Sequence, residues 1–108
     1  MARRNVLKAK TIARIQRYKR ALKNAGIAVE KIIVFGSQAK GTALPMSDID
    51  IAVVSSDFGK DYQDEAVRLM HIRTRDILEI EPHPFHPDDL NDRWSSLANE
   101  ITKHGIHV

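Results

Sequence analysis

The chain has 108 residues, a formal net charge of +3 and no cysteine. This length predicts one domain over residues 1–108, and the absence of cysteine excludes a disulfide framework or a cysteine-based zinc site. No apolar run approaches the ~20 residues of a membrane span and the N-terminus lacks the apolar core of a signal peptide, so we expect a cytoplasmic location.

Basic residues concentrate at the start of the chain. Residues 1–29 carry nine Lys and Arg and no acid, whereas residues 30–108 carry eight against fourteen Asp and Glu, a formal charge of −6. A helix is predicted over Val6–Ala25, with Asn5 as its N-cap and Gly26 just past its end. Its bases form either a solvated face or a surface for an acidic partner. Its apolar residues recur at helical spacing: Leu7, Ile12, Ile15, Tyr18 and Leu22.

Two strands are predicted next, joined by about a dozen residues. The first covers Lys31–Phe35 and ends in a Gly-Ser pair. Ser37–Lys40 form a short helical turn, Gly41–Ser47 form a loop, and the second strand covers Asp48–Val54. Each strand is a short apolar run, which is typical of a buried strand.

The second strand begins with an alternating pair of acids. Asp48 and Asp50 share one face because successive side chains of a strand point to opposite faces. Two adjacent carboxylates repel each other unless a cation lies between them, and oxygen ligands of this kind suit Mg²⁺ or Mn²⁺. The preceding Gly36 and Ser37 open a helical turn whose N–H groups suit a phosphate. A metal pair beside a phosphate cradle indicates nucleotide chemistry.

The rest of the chain predicts a second helix over Tyr62–Thr74 and a third strand over Ile77–Glu81, with Phe85 as its furthest end. Prolines at 82, 84 and 87 indicate an edge strand or an irregular exit. A last, broken helix runs from Asp88 to Lys103 and ends at Gly105. The order α-β-β-α-β-α favours an α+β fold, a small mixed sheet with helices packed on one face.

Two further features carry weaker signals. His83 and His86 lie among the prolines, and two histidines without a third nearby ligand are a weak zinc signal, so we interpret them as part of a structural loop. Trp94, the single tryptophan, is interpreted as a core or interface residue.

Gly36-Ser37, Gly41 and Asp48-x-Asp50 together resemble the signature of DNA polymerase β-type nucleotidyltransferases, and are most similar to the minimal nucleotidyltransferase (MNT) domains. The resemblance implies an α+β fold of the same kind, two Mg²⁺ or Mn²⁺ ions, and a nucleoside triphosphate, ATP, as substrate. An NMP group would be transferred to a hydroxyl.

The resemblance also assigns roles to single residues. Gly36 and Ser37 would hold the triphosphate. Family members often carry Arg after the Gly-Ser pair, where this chain has Gln38, and Lys40 could supply the missing charge instead. Ser47 either orients the two aspartates or is an ordinary loop serine.

A third carboxylate is implied by the resemblance, as a general base or a further metal ligand. Glu81 is the favoured residue, both as the catalytic group and as a metal ligand, because it lies at the predicted end of its strand. Glu79 shares its face and is the alternative, and Asp76 is a weaker one. Glu here replaces the more usual Asp.

The acceptor is not named by the sequence, and we expect a partner or a second copy of the chain to complete its site. The resemblance to MNT domains implies a helical HEPN toxin whose tyrosine receives AMP, which makes this chain an antitoxin. The alternatives are a small-molecule nucleotidyltransferase subunit of the aminoglycoside-modifying kind, or a non-catalytic toxin-binding module. Nucleic acid is an unlikely ligand, because the basic helix has Tyr18 as its one aromatic residue.

Overall fold

A computed structural model describes residues 7–44 and 47–108. Asn5, Val6, Pro45 and Met46 therefore lie outside the described residues, together with the predicted N-cap at Asn5. The helices and strands are α1 Ala9–Asn24, β1 Lys31–Phe35, α2 Ser37–Lys40, β2 Ile49–Val54, α3 Tyr62–Ile72, β3 Ile80–Phe85, α4 Ser96–His104 and β4 Ile106–His107, with 3₁₀ turns at Arg75–Ile77 and Pro87–Asn91.

The strands form one mixed sheet in the order β3-β2-β1-β4. β1 pairs antiparallel with both β2 and β4, whereas β2 pairs in parallel with β3 through a crossover that contains α3. The predicted α+β fold with a small mixed sheet is confirmed. β4 has only two residues, too few to show an alternating pattern in the sequence, and it was not predicted.

The main core lies between one face of the sheet and the helices α1 and α3. Ile32 and Val34 of β1 and Ile51 and Val53 of β2 point into it, as period-2 alternation requires. α4 covers part of the opposite face, so the prediction that the helices pack on one face was wrong. The smaller cluster on that face contains Ile33, Phe35, Ala52, Val54, Phe85 and Ile101.

A buried hydrogen bond joins the two helices of the main core. The Tyr18 hydroxyl donates to the carbonyl of Leu69 at 2.7 Å, and Tyr18 is fully buried. Burial raises the pKa of this phenol, and the charge of Arg73 opposes the rise only in part. The hydroxyl therefore stays protonated and fixes α1 against α3.

Several predicted boundaries are wrong by a few residues. α1 begins at Ala9 rather than Val6 and ends at Asn24, one residue before the predicted end at Ala25. Gly26 follows the C-cap residue Ala25 as predicted, at a φ of +83°. α3 stops at Ile72, two residues before Thr74. The third strand starts at Ile80 instead of Ile77, because Arg75–Ile77 turns into a 3₁₀ helix.

The C-terminal region also differs from the prediction. A 3₁₀ turn capped by His86 and a separate helix capped by Ser95 replace the broken helix that was expected to begin at Asp88. Trp94 lies between them and is 84% exposed, with the Arg93 guanidinium 5.2 Å from its ring centroid. Trp94 is therefore not a core residue, and its alternative assignment to an interface stays a prediction.

Within the described residues, the helices are all too short or too polar to cross a membrane.

Two acidic side chains hold the N-terminus of α3. Asp61 accepts a hydrogen bond from the N–H of Asp64, and Glu65 accepts from the N–H groups of Gly59, Lys60 and Asp61 at 3.0–3.2 Å. Desolvation raises the pKa of Glu65, but the three N–H donors outweigh it and leave that pKa below its ordinary value of 4.5.

We expect Glu65→Gln to lower the free energy of unfolding by about 1 kcal/mol at neutral pH, the usual cost of losing a helix cap. Because the folded-state pKa lies below the unfolded value, the contribution is complete above 4.5 and disappears as pH falls through the folded pKa. Urea unfolding of both proteins across this range should show the gap closing in acid. A gap that stays constant with pH, or that Glu100→Gln reproduces, would contradict this assignment.

Candidate active site

The carboxylates of interest gather where β2 begins. Asp50 is the second residue of β2, and its register partners are Phe35 on β1 and Glu81 on β3. Asp48 lies just before the strand and is exposed. The parallel pairing of β2 with β3 therefore places Glu81 directly beside Asp50, on the face of the sheet that carries α4.

Glu81 faces both aspartates. The pKa of its carboxyl is raised, first by partial burial, then by the negative charge of Asp50, and by a side-chain hydrogen bond and the charge of Asp48. His83 opposes this rise. These causes mean that the Glu81 carboxyl, although exposed, is repelled by the two neighbouring aspartates, a situation that a divalent cation would relieve.

His83 is the residue of this cluster that the sequence interpretation missed. Its Nε2 lies 3.5 Å from Asp50 Oδ1, and the ligand atoms of Asp50, Glu81 and His83 all lie within 4.8 Å of one another. His83 belongs to β3 and not to a loop. The signal was present, because Glu81 and His83 are two residues apart and share a face once the strand is extended to Phe85. His86, by contrast, has a structural role, since its Nδ1 accepts from the N–H of Asp88.

Gly36 brings the backbone against the cluster. It has a φ of +72° and precedes α2, so it adopts a conformation that side chains disfavour. A Cβ at this position would lie 2.7 Å from Asp50 Oδ2. The glycine therefore serves both the turn and the close approach of the Asp50 carboxylate, and Ser37, half-buried, follows it at the first position of α2.

Lys40 and Ser47 have protein partners of their own. Lys40 is the last residue of α2, and its Nζ lies 3.8 Å from Glu100 Oε1 of α4. The Ser47 hydroxyl accepts from the N–H of Leu44 at 2.8 Å, and its N–H donates to the carbonyl of Leu44. Ser47 thus closes the loop that leads into Asp48.

The rival carboxylates each have a basic partner. Glu79 precedes β3, and its Oε1 lies 2.8 Å from Arg14 Nε, although the two are not aligned as a hydrogen bond and this oxygen has only a charge partner. Asp76 accepts from Arg17 and from the Thr74 hydroxyl. Glu81 itself is the second residue of its strand, so the expectation that it ends the strand was wrong.

Two clefts lie near the start of β2, but residues of the cluster line only the first of them, and Glu79 lines both. One of about 290 Å³ lies between β3 and α3 and joins acidic and apolar residues, among them Asp48, Glu81, His83, Tyr62, Met70 and Leu78. The other, of about 330 Å³, lies beside α2 and is basic along one part of its lining, which includes Lys8, Lys10, Arg14, Gln38 and Ser47.

This donor set fits a divalent cation. Carboxylate oxygens and one imidazole nitrogen are ligands that Mg²⁺, Mn²⁺ and related ions accept, and the mutual repulsion recorded in the Glu81 pKa is the expected signature of a cation site. Acidic residues facing a glycine turn can hold a metal and a phosphate side by side.

Comparisons with known proteins agree with this reading of the fold. A solved crystal structure of a toxin-antitoxin with AMP-PNP is similar to this chain with a TM-score of 0.55 and 22% sequence identity, covering 85% of this chain and 69% of that chain. At this identity, the likeness concerns the fold alone. A search of the curated proteins gives no match.

A family model described as a nucleotidyltransferase domain matches residues 15–104. The match includes β1, α2, β2 and β3, the elements that bring Gly36, Asp50 and Glu81 together. Since it covers most of the sequence, this chain belongs to the nucleotidyltransferase-domain family.

Proposed function

We propose that this domain transfers AMP from ATP to a hydroxyl acceptor in a reaction that requires a divalent cation. The observation that carries the proposal is the position of Asp50, which lies beside Glu81 in the sheet register and against Gly36 at the start of α2. One carboxylate thus borders both a group of metal-ligating side chains and a turn that admits only glycine. A metal and the triphosphate bound to it require such an arrangement.

Each residue of the cluster has a separate task in this proposal. Asp48 and Asp50 would hold the cation, with Glu81 as a further ligand, and Gly36 and Ser37 would receive the triphosphate. The Glu81 carboxylate takes the proton of the acceptor hydroxyl, and the raised pKa of Glu81 suits a group that accepts a proton. The acceptor oxygen then bonds to the α-phosphorus, the bond from that phosphorus to the β-phosphate bridge breaks, and pyrophosphate leaves.

When bound, the divalent cation neutralises phosphate charge and lowers the pKa of the attacking hydroxyl. Lys40 and Ser47 act less directly. Lys40 lies three residues after Ser37 on α2. It would supply positive charge to the phosphates in place of the arginine that family members often carry at the position of Gln38. Ser47 fixes the loop before Asp48 through its two hydrogen bonds with Leu44.

The acceptor in this proposal is a tyrosine of a helical HEPN-type toxin, which makes the chain an antitoxin. The similar solved structure is a toxin-antitoxin with AMP-PNP, an ATP analogue, and this supports the choice of partner and nucleotide. The cleft between β3 and α3 also supports a tyrosine as acceptor, because its exposed Tyr62, Met70 and Leu78 suit an aromatic side chain next to Glu81.

Intact-mass measurement of the partner tests this function. The helical protein that this proposal expects to be encoded beside this chain is co-expressed with the wild type and with Asp50→Asn. We expect a mass increase of one AMP on a tyrosine with the wild type alone. A partner that is silenced equally well by Asp50→Asn, with no mass change in either case, would show that this chain is a binding module instead.

Glu81→Gln is expected to lower the rate of AMP transfer roughly 10²-fold or more, because the proton acceptor is lost. Affinity for Mg²⁺–ATP should change much less, because Asp48 and Asp50 remain. Steady-state transfer from labelled ATP measures the first quantity and calorimetry measures the second.

Glu79→Gln is the matched control for Glu81→Gln. It removes a carboxylate of the same size from the same segment, but one that faces Arg14. We expect nearly normal transfer with a small loss of stability. The opposite ranking of the two variants would assign the third carboxylate to Glu79.

The basic helix offers a surface for the partner, though not at every base. Arg14 and Arg17 are paired with Glu79 and Asp76, so their replacement would disturb the fold. Exposed Lys19, Arg20 and Lys23 line a separate groove of about 500 Å³ together with Ile27 and Val29.

Reversing charge in this groove should weaken association with an acidic partner. We expect Lys19→Glu/Lys23→Glu to slow association and to reduce its salt dependence, because exposed charges are screened beyond about 8 Å at physiological ionic strength. Binding kinetics at low and high salt measure both effects. Lys60→Glu, on an exposed loop, is the control, and a complex that ignores both the double variant and salt would exclude this surface.

A further inference from the structure

We propose that His83 is a metal ligand alongside Asp50 and Glu81, and that its nitrogen makes the site prefer a first-row transition ion such as Mn²⁺ over Mg²⁺. This inference rests on the proposed function, whose own metal ligands are the carboxylates. It adds to those carboxylates the imidazole nitrogen of His83, a residue that was predicted to lie in a loop. The evidence is the position of the imidazole, its surroundings and the distance to Asp50.

The fold brings the imidazole to the carboxylates. His83 pairs in register with Ala52, two residues beyond the pair formed by Asp50 and Glu81. In a strand this separation places both β3 side chains on one face, so His83 and Glu81 project together towards Asp50. The three ligand atoms lie within 4.8 Å of one another, and no other such group of three or more His, Asp or Glu residues occurs in the described part of the chain.

The side chain of His83 is partly enclosed. It is 22% exposed, and its ring packs against the buried ring of Phe35 with centroids 5.2 Å apart and planes tilted by 58°. Ala52 lies between the two on the same face, and its small side chain leaves room for this contact. The packing limits the orientations of the imidazole, which is what a ligand position requires.

The backbone around His83 is equally constrained. β3 is an edge strand, and the carbonyls of Glu79 and Phe85 accept hydrogen bonds from Ile49 and from Ser55, which directly follows β2. In a parallel pair, the backbone N–H and C=O groups of alternate residues point towards the neighbouring strand. Those of His83 therefore point towards β2, whereas the backbone groups of the two flanking prolines point towards the free edge. At the free edge, the missing N–H groups of the prolines cost no hydrogen bond between strands. The proline rings also fix the φ angles of the residues on both sides of His83.

A simple hydrogen bond between His83 and Asp50 explains the geometry less well. Charge-assisted hydrogen bonds between nitrogen and carboxylate oxygen are about 2.7–2.9 Å long. The separation of Nε2 from Oδ1 is 3.5 Å, so the two atoms are near each other without being bonded at normal length. Two metal-ligating atoms that lie this close without a hydrogen bond of normal length between them suit a shared cation.

A nitrogen donor changes which cation is favoured. Mg²⁺ prefers oxygen ligands and retains its waters, whereas affinity for mixed nitrogen and oxygen sites rises along the series from Mn²⁺ to Cu²⁺. A site made only of carboxylates discriminates weakly between Mg²⁺ and Mn²⁺. With His83 as a ligand, replacing the imidazole should reduce Mn²⁺ affinity more than Mg²⁺ affinity.

Electron spin-echo envelope modulation of the intact chain loaded with Mn²⁺ alone tests this directly. We expect ¹⁴N modulation from a bound imidazole, which changes to the ¹⁵N pattern when histidine is ¹⁵N-labelled. His83→Gln should abolish the modulation and lower the ratio of Mn²⁺ to Mg²⁺ affinity by about tenfold or more, the range seen when metal sites lose a supporting group. His71→Gln, on the exposed surface of α3, should do neither.

The outcomes separate this inference from the proposed function. Mn²⁺ that binds, requires Asp50 and shows no histidine nitrogen would overturn the role of His83 and leave the carboxylate site intact. Wild-type protein that binds neither Mn²⁺ nor Mg²⁺, with or without ATP, would overturn both. The isotope measurement uses wild-type protein, so the absence of a histidine nitrogen overturns the role of His83 even if His83→Gln fails to fold.

Discussion

Asp50→Asn is expected to abolish binding of Mg²⁺–ATP. We also expect it to reduce AMP transfer by more than ~100-fold, which is the upper end of the cost of losing a residue that only hydrogen-bonds to a metal ligand. Asp50 lies against Gly36, beside Glu81 and within 3.5 Å of His83, so the glycine turn and two proposed metal ligands meet at this carboxylate. An amide of the same shape removes its charge and one strong metal ligand. Calorimetric titration of Mg²⁺–ATP and the transfer rate measure the two losses.

Stability separates this effect from simple unfolding. Asp50 contributes to the repulsion that raises the pKa of Glu81, so its neutralisation relieves a like-charge interaction. We therefore expect Asp50→Asn to unfold at the same temperature as the wild type or a higher one while losing its ligand. Asp57→Asn, at an exposed aspartate outside the cluster, is the control and should bind normally. Equal affinity in Asp50→Asn and wild type would exclude the cation site.

Replacement of Gly36 should have the second large effect. Gly36→Ala places a methyl group 2.7 Å from Asp50 Oδ2 at a φ of +72°, and Gly36→Val adds bulk in the proposed phosphate path. We expect both variants to lose measurable Mg²⁺–ATP binding, with a stability cost of ~1–3 kcal/mol from the backbone strain. Calorimetry and thermal unfolding measure these quantities.

Gly26→Ala is a matched control for that prediction. Gly26 has a φ of +83°, so alanine there carries the same kind of backbone strain, but a Cβ would meet nothing within 4 Å. This variant should lose about 1 kcal/mol of stability and keep its nucleotide affinity. If Gly36→Ala binds Mg²⁺–ATP as well as Gly26→Ala does, the glycine turn is not a phosphate site.

Features encoded by consecutive residues could be read from the sequence. β1 and α2 have the predicted bounds, because an apolar run followed by a Gly-Ser turn is a local signal. Strand alternation places Asp50 but not Asp48, because β2 begins at Ile49 and not at Asp48 as predicted. Glu81 was favoured as the third carboxylate because of its expected position at the end of its strand, whereas it lies near the start of β3.

Features that depend on distant residues could not be read in this way. The pairing of Arg14 with Glu79 joins α1 to the segment before β3, and nothing near Arg14 in the sequence announces it. The same pairing explains why Glu79 is not free to face the aspartates. His83 was assigned to a loop because prolines usually interrupt strands, and only the edge position of β3 makes them compatible with pairing.

The central claim is that this domain transfers a nucleotidyl group, and the fate of differently labelled ATP tests it most directly. The chain and its partner are incubated with Mg²⁺ and ATP labelled at either the α- or the γ-phosphate. We predict that the α-label becomes covalently attached to the partner and that the γ-label is released as pyrophosphate, both dependent on Asp50. Transfer of the γ-label to the partner, or no attachment of either label by wild-type protein, would contradict the account.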